Sequence, residues 1–246
     1  MESGDLPIRL IHKETVAQKT LAATFELPSL PYSFEPGQAA VLSLSEGNAP
    51  GEGRTLSFAS APSELPQVTF ATRIASGSSF KEALSQALPG DEFFLSSPFG
   101  EFLLPTGEEA SFPLIFLAGG IGLTPFRSML REFGRALAER APLPPVLLTL
   151  NRTAEETPYH EECRQWNGSG IIRWVPVETR SPQSGGSSRD ELVRQALEEI
   201  LKQTGTEARL YLAGPPAMVD SLSEVLTASF GFPRERLTLD LFFGYA

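Results

Sequence analysis

An apolar run, Leu114-Ile115-Phe116-Leu117-Ala118, passes straight into Gly119-Gly120-Ile121-Gly122 and then into Leu123-Thr124-Pro125, where a helical pattern begins. A strand that turns through glycines directly into a helix opens a βαβ unit and commits this part of the chain to parallel pairing. The alternation continues downstream. Phe126, Met129, Leu130, Phe133 and Leu137 form one stripe over Pro125–Leu137. Val146–Leu150, Ile171–Val177, Leu210–Ala213 and Leu237–Phe243 read as further strands, and the stretches near Tyr159–Gln165, Glu191–Leu201 and Ala217–Phe230 as helices. Ser188 and Glu191 have capping-box spacing, and Ser181–Ser188 is a Ser/Gly-rich loop. The pattern predicts a doubly wound α/β domain.

The first half carries a different rhythm. Pro7–Leu10, Thr20–Glu26, Ala39–Leu44, Thr55–Ala59, Gln67–Thr72 and Glu92–Leu95 are short, β-branched or aromatic, and separated by Pro, Gly and Ser clusters. Only Phe80–Leu88 has a helical face, made of Phe80, Ala83, Leu84 and Ala87. Six strands at this spacing predict a small antiparallel β-barrel. The polar stretch Pro105–Ser111 separates the two patterns, giving a barrel domain over 1–108 and an α/β domain over 109–246.

Composition narrows the function classes. A net charge of −10, most of it in residues 1–110, argues against nonspecific nucleic-acid binding. The one cysteine, Cys163, leaves no internal disulfide framework and no iron–sulfur cluster of the chain's own, so no metal site is expected. No apolar run reaches the length of a membrane span, and the acidic Met1-Glu2-Ser3-Gly4-Asp5 start is unlike a signal peptide. The expectation is a cytoplasmic protein without membrane insertion.

Several segments have the chemistry of phosphate binding. Gly119, Gly120 and Gly122 allow a sharp turn and a close backbone approach to a pyrophosphate. Thr124 is placed to cap the following helix, with Pro125 at its first position. Ala213-Gly214-Pro215-Pro216-Ala217-Met218 makes a tight turn at a strand end, where ligands of such sheets bind. Asn151-Arg152 ends another strand near the expected adenosine ribose, and an arginine there suits a 2′-phosphate, with Arg180 at the next strand end as a second cation. Each segment alone is also compatible with structural turns and solvated arginines.

The order of these segments, with Arg54-Thr55-Leu56-Ser57, Thr72-Arg73, Gly77-Ser78-Ser79, Gly90-Asp91 and Ser96-Ser97-Pro98-Phe99-Gly100, resembles the ferredoxin–NADP reductase family along nearly the whole chain. The resemblance implies FAD in the barrel and NADP(H) or NAD(H) in the α/β domain. It also implies hydride transfer from the nucleotide to the flavin and electron transfer to a separate acceptor such as ferredoxin or flavodoxin. It implies that Arg54 pairs with flavin phosphate, that Ser57 approaches the flavin N5, and that the helix start at Ser78 or Ser79 receives the pyrophosphate. Leu56 stands where the family has tyrosine, and Ala213 where it has cysteine. Phe242, Phe243 and Tyr245 are the candidates for the family's terminal aromatic over the flavin. Arg127, Arg131 and Arg135 share a helix face that could attract an acidic carrier. Two alternatives remain open: the electron-transfer subunit of a larger oxidoreductase, and a non-catalytic nucleotide-binding regulatory module.

Overall fold

The computed structural model describes residues 5–28, 31–46, 53–74, 77–140, 143–180 and 188–243. Tyr245 and most of the Ser/Gly-rich loop lie outside them. The chain forms two compact units, one of Met1–Leu104 with Thr124–Glu132, the other of Pro105–Leu123 with Phe133–Ala246.

In the first unit the strands are β1 Leu6–Ala17, β2 Thr20–Glu26, β3 Ala39–Ser43, β4 Gly53–Ser57, β5 Gln67–Arg73 and β6 Glu92–Leu95. They pair in the order β4-β3-β6-β1-β2-β5. The two edges, β4 and β5, meet through an antiparallel bridge, Phe58 to Phe70, and a 2.8 Å bond from the Ala59 N–H to the Thr69 carbonyl. The sheet thereby curls into a barrel. β1 is longer than expected, because its polar continuation pairs with β2 across two register shifts. β4 begins and ends two residues early, and Phe58 then joins the seam.

Aromatic side chains fill the barrel. Phe34 stacks on Phe58 at 4.0 Å, and Phe58 lies 4.9 Å from Phe70. Such pairs add about 0.5–1.5 kcal/mol beyond their area burial. Helix α1, Ser79–Gln86, inserts Phe80 and Leu84 into the same core.

Residues 124–132 group with this unit for visible reasons. Phe126 faces Phe102 at 5.6 Å, and Arg127 Nη1 donates to the Ala59 carbonyl at 2.6 Å. Arg131 makes two bonds to the Glu64 carboxylate, at 2.8 and 2.7 Å. Arg127 and Arg131 therefore make bonds within the unit, while Arg131 and Arg135 are exposed on the helix.

The second unit holds β7 Leu114–Gly119, β8 Val146–Asn151, β9 Arg173–Glu178, β10 Arg209–Gly214 and β11 Leu237–Leu241, all parallel, in the order β11-β10-β7-β8-β9. Helices α2 Leu123–Arg140, α3 His160–Gly168, α4 Arg189–Thr204 and α5 Pro216–Phe230 connect them. The Ser188–Glu191 capping box forms at α4, with the Ser188 N–H donating to Glu191 Oε2 at 2.8 Å. Two expectations fail. Phe133 is 42% exposed and leaves the apolar stripe of α2, and β11 stops at Leu241 rather than Phe243.

The strand order reverses between β7 and β10, so the crevice beyond their carboxyl ends is the switch point of the sheet. Both glycine turns lie there. A Cβ on Gly122 would stand 2.2 Å from the Ala213 carbonyl oxygen, and one on Gly119 2.2 Å from Met218 Sδ. Gly214, at φ +151°, likewise packs against Met218 and Gly119. The obstacle at Gly122 is main chain and cannot rotate aside. Gly122→Ala should therefore destabilise the protein by about 1–3 kcal/mol, the usual cost of overpacking. Urea unfolding of the variant measures this, and an unchanged midpoint would contradict it.

Candidate functional site

Two groups of expected site residues come together, one in each unit. In the barrel unit, β4 carries Arg54 to the start of α1. Arg54 Nη2 donates to Ser78 Oγ at 2.9 Å, and its guanidinium lies 5.9 Å from the centre of the Phe80 ring. Ser78 is the N-cap of α1, and its Oγ also accepts from the Lys81 N–H at 3.4 Å. Ser79 is the first residue of the helix, and Gly77, at φ +88°, makes the turn before it with open space around its Cα. A guanidinium beside a helix N-terminus, where N–H groups lack intrahelical partners, favours an anion.

Lys81 is a member of this group that the sequence pattern did not reveal. It is only 4% exposed, although the helical stripe assigns burial to Phe80, Ala83 and Leu84. Burial, then the nearby charges of Arg54 and Arg73, hold its ammonium below the usual lysine range. Three cations therefore converge at this end of the barrel. Thr55 is exposed on β4, whereas Leu56 and Ser57 are buried, Leu56 within the barrel core. Thr72, beside Arg73 on β5, is 1% exposed, and its Oγ1 has no hydrogen-bond partner among the described residues.

In the second unit, Gly119 ends β7 and Gly120–Gly122 forms a 3-10 turn that runs directly into α2. Thr124 and Pro125 consequently sit inside the first turn of α2, because the chain is already helical at Leu123. Thr124 is not the N-cap that the sequence suggested. Gly120, at φ +53°, has no neighbouring atom within 4 Å of where a Cβ would lie, so its open face is free for a ligand. Gly214 leads through Pro215 into α5, which begins at Pro216. Met218 is buried, and its thioether wedges between Gly119 and Gly214, a packing position.

Asn151 Nδ2 donates to Thr157 Oγ1 at 3.0 Å and ties down the loop after β8. Arg152 and Arg180 are both exposed, and the Arg180 N–H donates to the Arg152 carbonyl at 2.8 Å. The two residues are therefore main-chain neighbours just past the ends of β8 and β9. Past β11, the Phe242 N–H donates to the Gly214 carbonyl at 2.9 Å, which fixes Phe242 beside the glycine turn, while Phe243 is 76% exposed.

Asp240 is a second residue that the sequence reading missed. Its register partner on β10 is Ala213, itself fully buried and paired in turn with Ala118 on β7. A carboxylate within the apolar run Leu237–Phe243 was the available signal. Burial pushes its pKa up to about 6 from an ordinary value of 3.8. The unfolded chain thus loses its proton first as pH rises. Asp240 then costs nothing below about pH 4, and its penalty grows until about pH 6. Asp240→Asn should match wild type in stability near pH 4 and exceed it at pH 7, by at most about 3 kcal/mol at 1.4 kcal/mol per pK unit. Urea midpoints across this range test the point; parallel curves would refute it.

Comparison with known proteins agrees with this geometry. Residues 116–224 match the family described as the oxidoreductase NAD-binding domain. The chain is 30% identical over 221 residues to the reductase component of propane 2-monooxygenase from Rhodococcus jostii, covering 86% of this chain but only 56% of that relative. It is 31% identical over 216 residues to ferredoxin–NADP reductase B of Sorangium cellulosum, covering 85% of each chain. Among solved structures, a Neisseria gonorrhoeae ferredoxin NADP+ reductase with bound FAD and NADP superposes with a TM-score of 0.81 at 20% identity, over 98% of this chain and all of that one. With a barrel, a doubly wound sheet and a relative this similar over most of both lengths, the chain belongs to the ferredoxin–NADP reductase family.

Proposed function

We propose that this chain is an NAD(P)H-dependent flavin oxidoreductase that passes electrons to a separate acceptor. The observation that carries the reading is the Arg54–Ser78 contact at the start of α1, with Lys81 and Arg73 close by. The residues present fit FAD. Cations and a helix N-terminus suit its pyrophosphate, and the orphaned hydroxyl of Thr72 suits a polar ligand group. Arg54, Thr55, Leu56, Ser57, Thr72, Arg73, Gly77, Ser78 and Ser79 are the proposed FAD residues. When bound, FAD supplies acceptance of a hydride and release of electrons one at a time.

The chain's own residues position the nucleotide. Gly119, Gly120 and Gly122 shape the turn, and the open face of Gly120 admits a pyrophosphate at the switch point. Gly214, Pro215 and Pro216 form the second turn, with Met218 packed against Gly119 and Gly214, and Thr124 and Pro125, in the first turn of α2, are further proposed nucleotide-binding residues. Ser57, Phe242 and Phe243 are the proposed catalytic-site residues, Phe242 held by its backbone bond to Gly214. Asn151 orders the loop that presents Arg152.

The acceptor is proposed from the relatives. The Rhodococcus protein is a reductase component of a monooxygenase and the Sorangium protein a ferredoxin–NADP reductase. A protein acceptor such as ferredoxin, flavodoxin or an oxygenase component fits both. This chain spans little more than half of the Rhodococcus relative, so service as the electron-transfer subunit of a larger oxygenase system is part of the same reading. A nucleotide sensor without turnover is less well supported, because these relatives are named for electron transfer. Among the described residues no helix is long and apolar enough to cross a membrane. We place the activity in the cytoplasm, where reduced nicotinamide nucleotides are generated.

Two measurements test the reading. Arg54→Ala removes a charge-assisted contact worth about 1.5–3 kcal/mol and should lower FAD affinity roughly tenfold or more without unfolding the barrel. Equilibrium titration with FAD reads this directly, and full flavin retention by the folded variant would reject the site. Arg152 and Arg180, main-chain neighbours and both exposed, suit a 2′-phosphate, so the enzyme should prefer NADPH. Arg152→Ala should lower the ratio of kcat/KM for NADPH over NADH by about tenfold. A wild-type enzyme that prefers NADH would refute this preference.

A further inference from the structure

Helix α2 is divided between the two units, Thr124–Glu132 grouping with the barrel and the helix from Phe133 onward with the parallel sheet. Its first half is bonded to one short barrel segment, residues 59–64. Arg127 Nη1 donates to the Ala59 carbonyl at 2.6 Å. One turn further on, Arg131 forks onto Glu64, with Nε to Oε2 at 2.8 Å and Nη2 to Oε1 at 2.7 Å. Glu132 Oε2 accepts from the Ser63 N–H at 3.0 Å.

That segment is itself held firmly. The Ala59 N–H donates to the Thr69 carbonyl at 2.8 Å, and the Thr69 N–H donates to Ser60 Oγ at 2.9 Å, so both residues are tied to β5. Glu64 Oε2 also accepts from the Ala61 N–H at 2.6 Å. Ala59, Ser60 and Ala61 are buried. The segment is therefore a platform, and the first half of α2 is fastened to it.

Chain position gives the platform its meaning. Ala59 follows Ser57 by two residues, and Arg127 follows Gly122 by five. Ser57 belongs to the proposed flavin site and Gly122 to the proposed nucleotide turn. The Arg127–Ala59 bond thus ties the segment carrying the one to the helix opened by the other. Stability is a poor reason for the second contact. The Arg131 and Glu64 side chains are 35% and 31% exposed, and ion pairs so open to water contribute little to folding. A planar, bidentate pair does fix direction. Direction matters for hydride transfer, which needs reacting atoms about 3–3.5 Å apart and loses on the order of 100-fold in rate for an ångström of misplacement.

Resting on the proposed function, we propose that Arg127 and Arg131 are positioning residues for the hydride step. They hold α2, and the glycine turn that opens it, to the platform that follows Ser57. Their loss slows transfer and leaves both cofactors bound.

The test uses FAD-loaded protein carrying Arg127→Met, Arg127→Lys, Arg131→Gln, Glu64→Gln or the last two together. Each is mixed anaerobically with saturating NADPH, and separately with NADH, in a stopped flow. Arg127→Met should reduce its flavin about tenfold more slowly, with Kd for FAD and for nucleotide within about twofold of wild type. Arg127→Lys still has a donor for the Ala59 carbonyl and should recover most of the rate. Arg131→Gln and Glu64→Gln should each slow transfer by a similar, smaller factor, and the double variant no further, because both remove one contact. These two residues lie at the surface, so their variants decide the matter even where Arg127→Met does not fold. Wild-type transfer rates in the folded variants would overturn the proposal and leave these bonds to the fold alone. Slow transfer with a matching loss of FAD or nucleotide affinity would overturn it by placing the arginines in a binding site. No recovery in Arg127→Lys, or additive losses at Arg131 and Glu64, would overturn the assignment to these contacts. Wild-type protein whose flavin neither nucleotide reduces would overturn the proposed function itself, and this inference with it.

Discussion

The second unit depends on one backbone-to-backbone approach. Gly122 lies so close to the Ala213 carbonyl that no side chain fits between them, and Gly119 and Gly214 leave the space that Met218 fills. This packing joins the carboxyl ends of β7 and β10, the neighbouring strands at which the sheet reverses its order. Three of the glycines are thus needed for the crevice to exist at all. Gly120 differs, since its positive φ demands glycine and the space beside it is empty. Tightly packed and open-faced glycines stand next to each other in one motif, and only the neighbouring atoms distinguish them.

The barrel unit is organised around a different constraint, which is charge. Its core is aromatic and self-sufficient, closed at the seam by Phe58 and Phe70. At the end where α1 begins, burial and then the nearby charges of Arg54 and Arg73 lower the proton affinity of Lys81. Like charges gathered beside a helix N-terminus raise the energy of the empty protein and are relieved by an anion. That arrangement sits within the more acidic half of an acidic chain, so it is a local reversal of the overall field.

The alternation of strands and helices was legible because burial imposes it. Fully buried parallel strands such as Leu114–Gly119 and Val146–Asn151 read as continuous apolar runs. Boundaries were less legible where tertiary contacts decide them. β1 runs on through polar residues because β2 offers a partner, and α2 begins before Thr124 because the glycines already turn helically. Of the site, Arg54, Ser78 and the glycine turns were legible through their conformational and charge preferences. Lys81 and Asp240 were not. Lys81 is a charged residue at a buried position and Asp240 one at a half-buried position, and sequence periodicity assigns charge to the surface.

The departures from the family pattern have a physical pattern of their own. Leu56, where the resemblance puts a tyrosine, lies in the barrel core, and Ala213, where it puts a cysteine, is fully buried in the sheet. Both positions hold apolar side chains that are buried. The groups suited to phosphate are different in kind. They are guanidinium, ammonium and main-chain N–H groups, set by β4, by the cap of α1 and by the glycine turns. Under the proposed function, holding a nucleotide and tuning its reactivity would rest on separate parts of this chain. The first part can stay intact while the second drifts, so cofactor affinity in this protein need not track the rate of the chemical step.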